Sequence, residues 1–165
     1  MTVSKNLIIK PIQLNIHSGI CVTFCEDSFI VSFGDAKRFY ESDGKGAERY
    51  LNWLTAKLEK DPESAVHVWQ DNEIVGQIEM GRMKDDQTLG YVNRYYLIQA
   101  KRGQAYGAQL DQYAMMYFKK LGLSTVRLCV SPTNIPATKF YKKLGWVDLG
   151  PRPGHPEVNF MEKKF

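Results

Sequence analysis

The stretch YVNRYYLIQAKRGQAYGAQLDQYAMMYFKKLG, residues 91–122, changes its period midway. Up to Ile98 it is rich in Tyr and Val and reads as the end of a long strand, Leu89 to Ile98. From Gly107 onward the period is helical: Leu110, Tyr113, Ala114, Tyr117, Phe118 and Leu121 share one face, and Gly122 closes the helix. Between them lies Lys101-Arg102-Gly103-Gln104-Ala105-Tyr106-Gly107. A loop that opens onto a helix offers unpaired N–H groups and a partial positive charge, which suit phosphate oxygens. Gly103 and Gly107 remove side chains where such a group must come close, and Arg102 adds a full charge at the rim.

Two phosphate-binding patterns do not fit. The P-loop requires Gly, four residues, then Gly-Lys and Ser or Thr, and the dinucleotide fingerprint requires two glycines one residue apart. Neither spacing occurs around Gly103. Downstream, Thr125 to Val130 is an apolar strand, and Asn134-Ile-Pro-Ala137-Thr-Lys-Phe140-Tyr141-Lys-Lys-Leu144-Gly145-Trp146 opens a second amphipathic helix. Its inner face carries Ala137, Phe140, Tyr141 and Leu144, and Gly145 ends it.

The rest of the chain is read outward from this core. Asn6 to Ile12 is a first strand. His17 to Phe33 reads as a helix followed by a loop, because Phe29 to Phe33 alternates. Ala47 to Glu59 is a helix ended by Asp61-Pro62. Ala65 to Trp69 and Ile74 to Met80 form a hairpin about Gln70 to Glu73. Trp146 to Leu149 and Glu157 to Glu162 pair around a Gly150 to Pro156 loop. The order implies an α/β (α+β) protein with a single central, mostly antiparallel mixed sheet flanked by helices. No repeat or linker divides it, so residues 1–165 read as one domain.

The loop, followed at the right distance by the Asn134–Trp146 segment, resembles the acetyl-CoA N-acetyltransferases of the GNAT superfamily. The loop pattern there is Arg or Gln, two residues, Gly, one residue, then Gly or Ala; here Ala105 stands in place of the first Gly. Alanine holds a helical start but not a positive φ, so the amide geometry at Ala105 is expected to differ. The resemblance implies a GNAT-like acyl-CoA N-acyltransferase fold in which Leu89–Ile98 and Thr125–Val130 splay apart. It implies that acetyl-CoA, as co-substrate, pairs its pantetheine arm with the main chain of Tyr96, Leu97 and Ile98. Arg102, Gly103, Gln104, Ala105, Tyr106, Gly107 and Ala108 then cradle the pyrophosphate. Asn134 matches a position that contacts CoA, and it is also a good helix cap. Tyr141 matches the position that protonates the departing thiolate, since a phenol donates while neutral; a tyrosine on an apolar helix face is also a core residue.

The reaction so implied needs a neutral amine, although a free alkylamine is mostly protonated near neutral pH. It also needs a donor aimed at the carbonyl oxygen, and the N–H of Leu97 or Ile98 is the candidate. The base is left open. Glu79 comes first because it interrupts the apolar run from Ile74 to Met80, although alternation alone would let it face solvent. Asn93 and Tyr95, on one face of the long strand, could order water; Glu26, Asp27 and His155 flank the expected acceptor site. Trp53, Trp69 and the aromatics near Phe29 read as core. The rival reading is a catalytically silent acyl-CoA-binding or protein-interaction domain on the same fold.

The composition excludes other classes. At 165 residues, 44% hydrophobic and 24% charged, the chain can build one core without staples. A net charge of +4, interspersed, shows no dense basic face, so nucleic acid is not the expected partner. Cys21, Cys25 and Cys129 lack a zinc spacing and cannot all pair; free thiols imply a reducing, cytoplasmic setting and no metal. No signal peptide and no membrane span are expected. The resemblance implies a small-molecule or peptide amine as acceptor and allows a homodimer to which residues 146–165 contribute.

Overall fold

Alternation along two strands sets the architecture of the computed structural model, which describes residues 6–165. In β2 (Ala65–Gln70), Val66 and Val68 face one way, and Ala65 and His67 the other. In β3 (Glu73–Met83), Ile78 and Met80 join the valines, while Gln77 and Glu79 join His67. The sheet therefore has an apolar face and a second face that is buried yet polar.

Seven strands form one sheet in the order β1-β2-β3-β4-β5-β7-β6. The others are β1 (Ile8–Pro11), β4 (Asp86–Leu97), β5 (Thr125–Val130), β6 (Val147–Arg152) and β7 (His155–Lys164). Only β4 and β5 are parallel. That makes the sheet mostly antiparallel, as expected. Helix α4 (Tyr106–Lys120) covers the apolar face with Leu110, Ala114 and Phe118, and α5 (Ile135–Lys143) adds Ala137 and Tyr141. The polar face lies under α1 (Leu14–Phe33), the short α2 (Lys37–Tyr40) and α3 (Gly46–Lys60). A smaller core of Ile12, Cys21, Leu54 and Ala65 seals that side.

The β2–β3 hairpin turns at Asp71 and Asn72, both at positive φ (50° and 65°), as a two-residue turn with the right twist demands. Three expectations change. Residues 29–33 continue α1, which ends only at Gly34, whose N–H bonds Ile30 O; packing of the helix overrides the alternation there. The Gly150 to Pro156 loop is mostly strand, turning at Gly154 (φ 79°), because the edge strand β6 tolerates Gly and Pro that an inner strand would not. Trp53 is 41% exposed, so it is not core. By length and composition alone, α1 is long and apolar enough to cross a bilayer. Here it lies on the sheet through Cys21, Phe24 and Cys25. The signal-peptide reading falls partly outside the described residues.

Candidate active site

Strand β4 pairs with β3 up to Leu97 but with β5 only over Gly90–Val92. The β3 register shifts between Glu79 and Met80, opposite Arg94 and Val92, and leaves Asn93 as the extra residue of a bulge. Beyond it the parallel strands part. Ile98 N–H bonds Val75 O, so alternation turns the peptide groups of Leu97 toward the gap. Leu97 O accepts from Arg102 Nε at 2.9 Å. Ile98 is excluded as an oxyanion donor because its N–H is used by β3. Tyr96 pairs with Gln77 across the strands and hydrogen-bonds Asp27 through its hydroxyl.

The loop beyond the gap is shaped by two left-handed residues, Gly103 (φ 73°) and Ala105 (φ 66°, ψ 9°). Ala105 thus adopts the positive φ that its side chain disfavours, at a cost of about 1–2 kcal/mol, and the expected departure in amide geometry does not occur. As N-cap of α4 it offers no side-chain bond, and the first turn carries no acidic residue. The leading N–H groups, at Tyr106, Gly107 and Ala108, are left for a ligand. Gln104 bonds back to Ala100 O at 2.7 Å, and buried Tyr106 accepts from Gln70. Gly107 is required by packing: a Cβ there would lie 2.5 Å from the Phe140 ring. Arg102 is held by Asp27 at 2.9 Å. Substituting Ala105→Gly should raise stability by about 0.5–1 kcal/mol, read as a higher urea midpoint; an unchanged midpoint would mean that Ala105 bears no strain.

On α5, Asn134 caps the helix, accepting from Ala137 N–H at 3.3 Å. Tyr141 is half-buried between Tyr95 (ring centroids 6.2 Å apart) and Trp146 (6.1 Å). Its hydroxyl has no hydrogen-bond partner among the described residues. Burial and the Asp111 charge raise its pKa, so the phenol stays protonated. Asp111 itself is buried and accepts from Tyr95 Oη, Trp146 Nε1 and Lys163 Nζ at 3.0, 3.0 and 2.7 Å. Asn93 and Tyr95 do not share a face: the bulge puts Asn93 on the groove side and Tyr95 against α4.

On the polar face, a groove of about 400 Å³ lies beside the bulge, bordered by Phe39, Tyr50, Trp53, Tyr91, Asn93 and Arg94. Glu79 is at its floor, fully buried, so the solvent-facing reading fails. It receives the Tyr50 hydroxyl, Gln77 Nε2 at 2.6 Å and Arg94 Nε at 3.3 Å. Burial, then the Glu79 charge, raises the Tyr50 pKa. Gln77 Oε1 accepts from His67 at 2.9 Å, and the His17 and His67 rings meet edge to face. Burial pushes both Cys21 and Cys25 thiols up to about 12, which leaves them unreactive. Glu26 accepts from Tyr40, and His155 is exposed beside Glu157. Among the described residues no three metal-ligating side chains converge.

His67 gives this face a pH signature. Burial lowers its pKa from 6.5 to about 4. The unfolded chain gains that proton below pH 6.5 whereas the folded one does not until about pH 4. Stability should therefore be intact above pH 6.5 and fall by roughly 3 kcal/mol between there and pH 4. Urea titrations of the protein and of His67→Gln across that window check this; parallel pH profiles would contradict it.

Sequence reasoning missed Tyr50, Gln77, Arg94 and Asp111. An acid on the otherwise apolar face of α4 was the one available signal, at Asp111.

The sequence matches the model of the acetyltransferase (GNAT) family over residues 27–146. No protein of curated function matches it. The fold resembles the PaiA N-acetyltransferase of Thermoplasma acidophilum, solved with coenzyme A, at TM-score 0.78 and 19% identity, covering 97% of this chain and 99% of that one. It also resembles YncA, a putative acetyltransferase of Salmonella typhimurium solved with acetyl-CoA (TM-score 0.72, 13% identity, 97% and 94% covered). A ribosomal-protein-alanine N-acetyltransferase of Brucella melitensis aligns at TM-score 0.73 and 12% identity over 96% and 99%.

Proposed function

The chain belongs to the GNAT family of acetyltransferases, and on that premise we propose that it moves the acetyl group of acetyl-CoA to a primary amine by direct attack in a ternary complex. The observation that carries this reading is the parting of β4 and β5 at Asn93, directly before an uncapped helix start. The free edge of β4 at Leu97 receives the pantetheine amides as an added strand would. The first-turn N–H groups of α4, with Gly103 and Ala105 shaping the approach, hold the pyrophosphate. Arg102 adds charge there once it leaves Leu97 O. Asn134 orders the start of α5 and borders the same ligand. Residues 1–165 work as one domain, and the three free thiols favour a cytoplasmic setting.

The acceptor lies in the groove over Tyr50 and Glu79. Its nitrogen bonds to the acetyl carbon as the carbon–sulfur bond breaks. The nitrogen's proton passes to the Tyr50 oxygen while Tyr50 gives its own proton to Glu79, which already accepts it as a hydrogen bond. Glu79 thus acts as base at one remove. Tyr141 donates a hydrogen bond to the departing sulfur and stabilises the thiolate, but keeps its proton, because the thiol's ordinary pKa near 8.5 lies far below that of the buried phenol. Solvent protonates the released thiolate as needed, and Glu79 returns its proton through Tyr50 to solvent.

Tyr141→Phe should slow single-turnover acetylation about 100-fold with the Kd for acetyl-CoA nearly unchanged, since only help in the transition state is lost. Unchanged single-turnover rates would remove Tyr141 from the chemistry. The function itself is tested by an amine and peptide acceptor screen. Acetylated product supports it; acetyl-CoA binding with no turnover on any acceptor supports the silent-domain reading.

A further inference from the structure

Cations on the polar face of the sheet are generally paired: Arg94 with Glu79, Arg127 with Glu162 at 2.8 Å, and Arg49 with both Glu41 and Asp43. One hollow breaks that pattern. It adjoins the groove, sharing Trp53, Tyr91 and Asn93, and its charged lining is Lys57, Arg82, Lys84 and Arg152 against Asp85 alone. None of those four cations has a carboxylate within ion-pair distance among the described residues.

Two of them are built in. Lys57 is half-buried, with Nζ 5.3 Å from the centre of the Trp53 ring and seated over the backbone of Gly81. A Cβ on Gly81 would lie 2.8 Å from that ammonium, which therefore sits directly against the strand backbone. Burial lowers the Lys57 pKa, with Glu79 and Asp61 opposing from a distance. Arg152 is held over the Phe160 ring (5.1 Å) and reaches Tyr91 Oη and Cys129 Sγ at 3.5 and 3.4 Å, neither of them an anion. Among the described residues Arg82 bonds only carbonyls, of Gln87 and Leu121. Partly desolvated charges without a counter-charge are costly, and a bound anion offsets that cost.

We infer that this hollow binds an acidic group of the acceptor, so that the amine substrate is one carrying a carboxylate or phosphate. The inference rests on the acetyltransferase reading for its amine but not for its anion. Trp53 and Tyr91 span the junction, leaving the amine over Tyr50 and the acidic group at Lys57 and Arg152. A polycationic amine is repelled by the same lining.

The test is equilibrium titration, at fixed ionic strength, of the acetyl-CoA-saturated protein with matched amines. The pairs are β-alanine against β-alaninamide, phosphoethanolamine against ethanolamine, and spermidine as the polycation. The acidic member of at least one pair should bind about tenfold or more tightly than its neutral partner, and which pair does so separates carboxylate from phosphate. Lys57→Met and Arg152→Gln should each erase that preference while acetyl-CoA affinity, reporting an intact fold, stays the same. Equal binding within both pairs, no binding of any member, or tighter binding of spermidine would overturn the subsite. Selective acid binding without acetyl transfer to any amine would instead overturn the catalytic reading and leave the subsite standing.

Discussion

Glu79→Ala should lower stability by about 3–5 kcal/mol and abolish measurable acetyl transfer. The carboxylate is fully buried, and its removal strands the Arg94 guanidinium, the Tyr50 hydroxyl and one Gln77 donor at once. Arg94 then keeps Cys25 Sγ, at 3.1 Å, as a hydrogen-bond partner and the Tyr50 ring at 6.0 Å, and neither balances a charge. Most of the loss should therefore come from the stranded cation. The double variant Glu79→Ala with Arg94→Met should be more stable than Glu79→Ala alone, a non-additivity that urea denaturation measures directly. Activity should not return with that stability, because Tyr50 would still lack a proton acceptor. A loss below about 1 kcal/mol in Glu79→Ala would show that the network is not held by the ion pair.

Asp111→Ala is the second large effect, expected at about 3 kcal/mol or more. Asp111 is the shared acceptor for Tyr95, Trp146 and Lys163, tying β4, the residue before β6, and β7 to α4. Its loss leaves Lys163 without its carboxylate and Trp146 Nε1–H buried without an acceptor. Tyr141 is packed between Tyr95 and Trp146, so turnover should also fall, although Asp111 touches no substrate. Asp111→Asn keeps an acceptor for Tyr95 and should cost less than alanine. Denaturation curves and single-turnover rates on the same preparations check both. Equal stability of Asp111→Ala and the parent would contradict the assignment.

The parts of the site that were legible are those whose chemistry is local. The Arg102–Gly107 loop and the Asn134–Trp146 segment each confine their residues to one short stretch, and the structure packs them together, with Gly107 against Phe140. Ala105 was read correctly as a departure but wrongly in its consequence: the strain that its side chain opposes is accepted. The polar face was barely legible. Glu79 showed as an acid in an apolar run, but whether it faced solvent depended on Tyr50, 29 residues away in sequence, and Arg94, 15 away, folding over it. The bulge at Asn93 is likewise invisible to strict alternation, and it separated two residues, Asn93 and Tyr95, that a period of two places together. The alternation of Phe29–Phe33 misled for the opposite reason, since a helix continued through a pattern that looks like a strand.

The most direct test is calorimetric titration of the purified protein with acetyl-CoA, run beside NADH and ATP. Saturable binding of acetyl-CoA, with neither of the others binding comparably, is the result expected if the parted strands and the uncapped start of α4 form an acyl-CoA site. No binding of acetyl-CoA, or equal binding of ATP, would contradict it and reduce the acetyltransferase assignment to a likeness of fold.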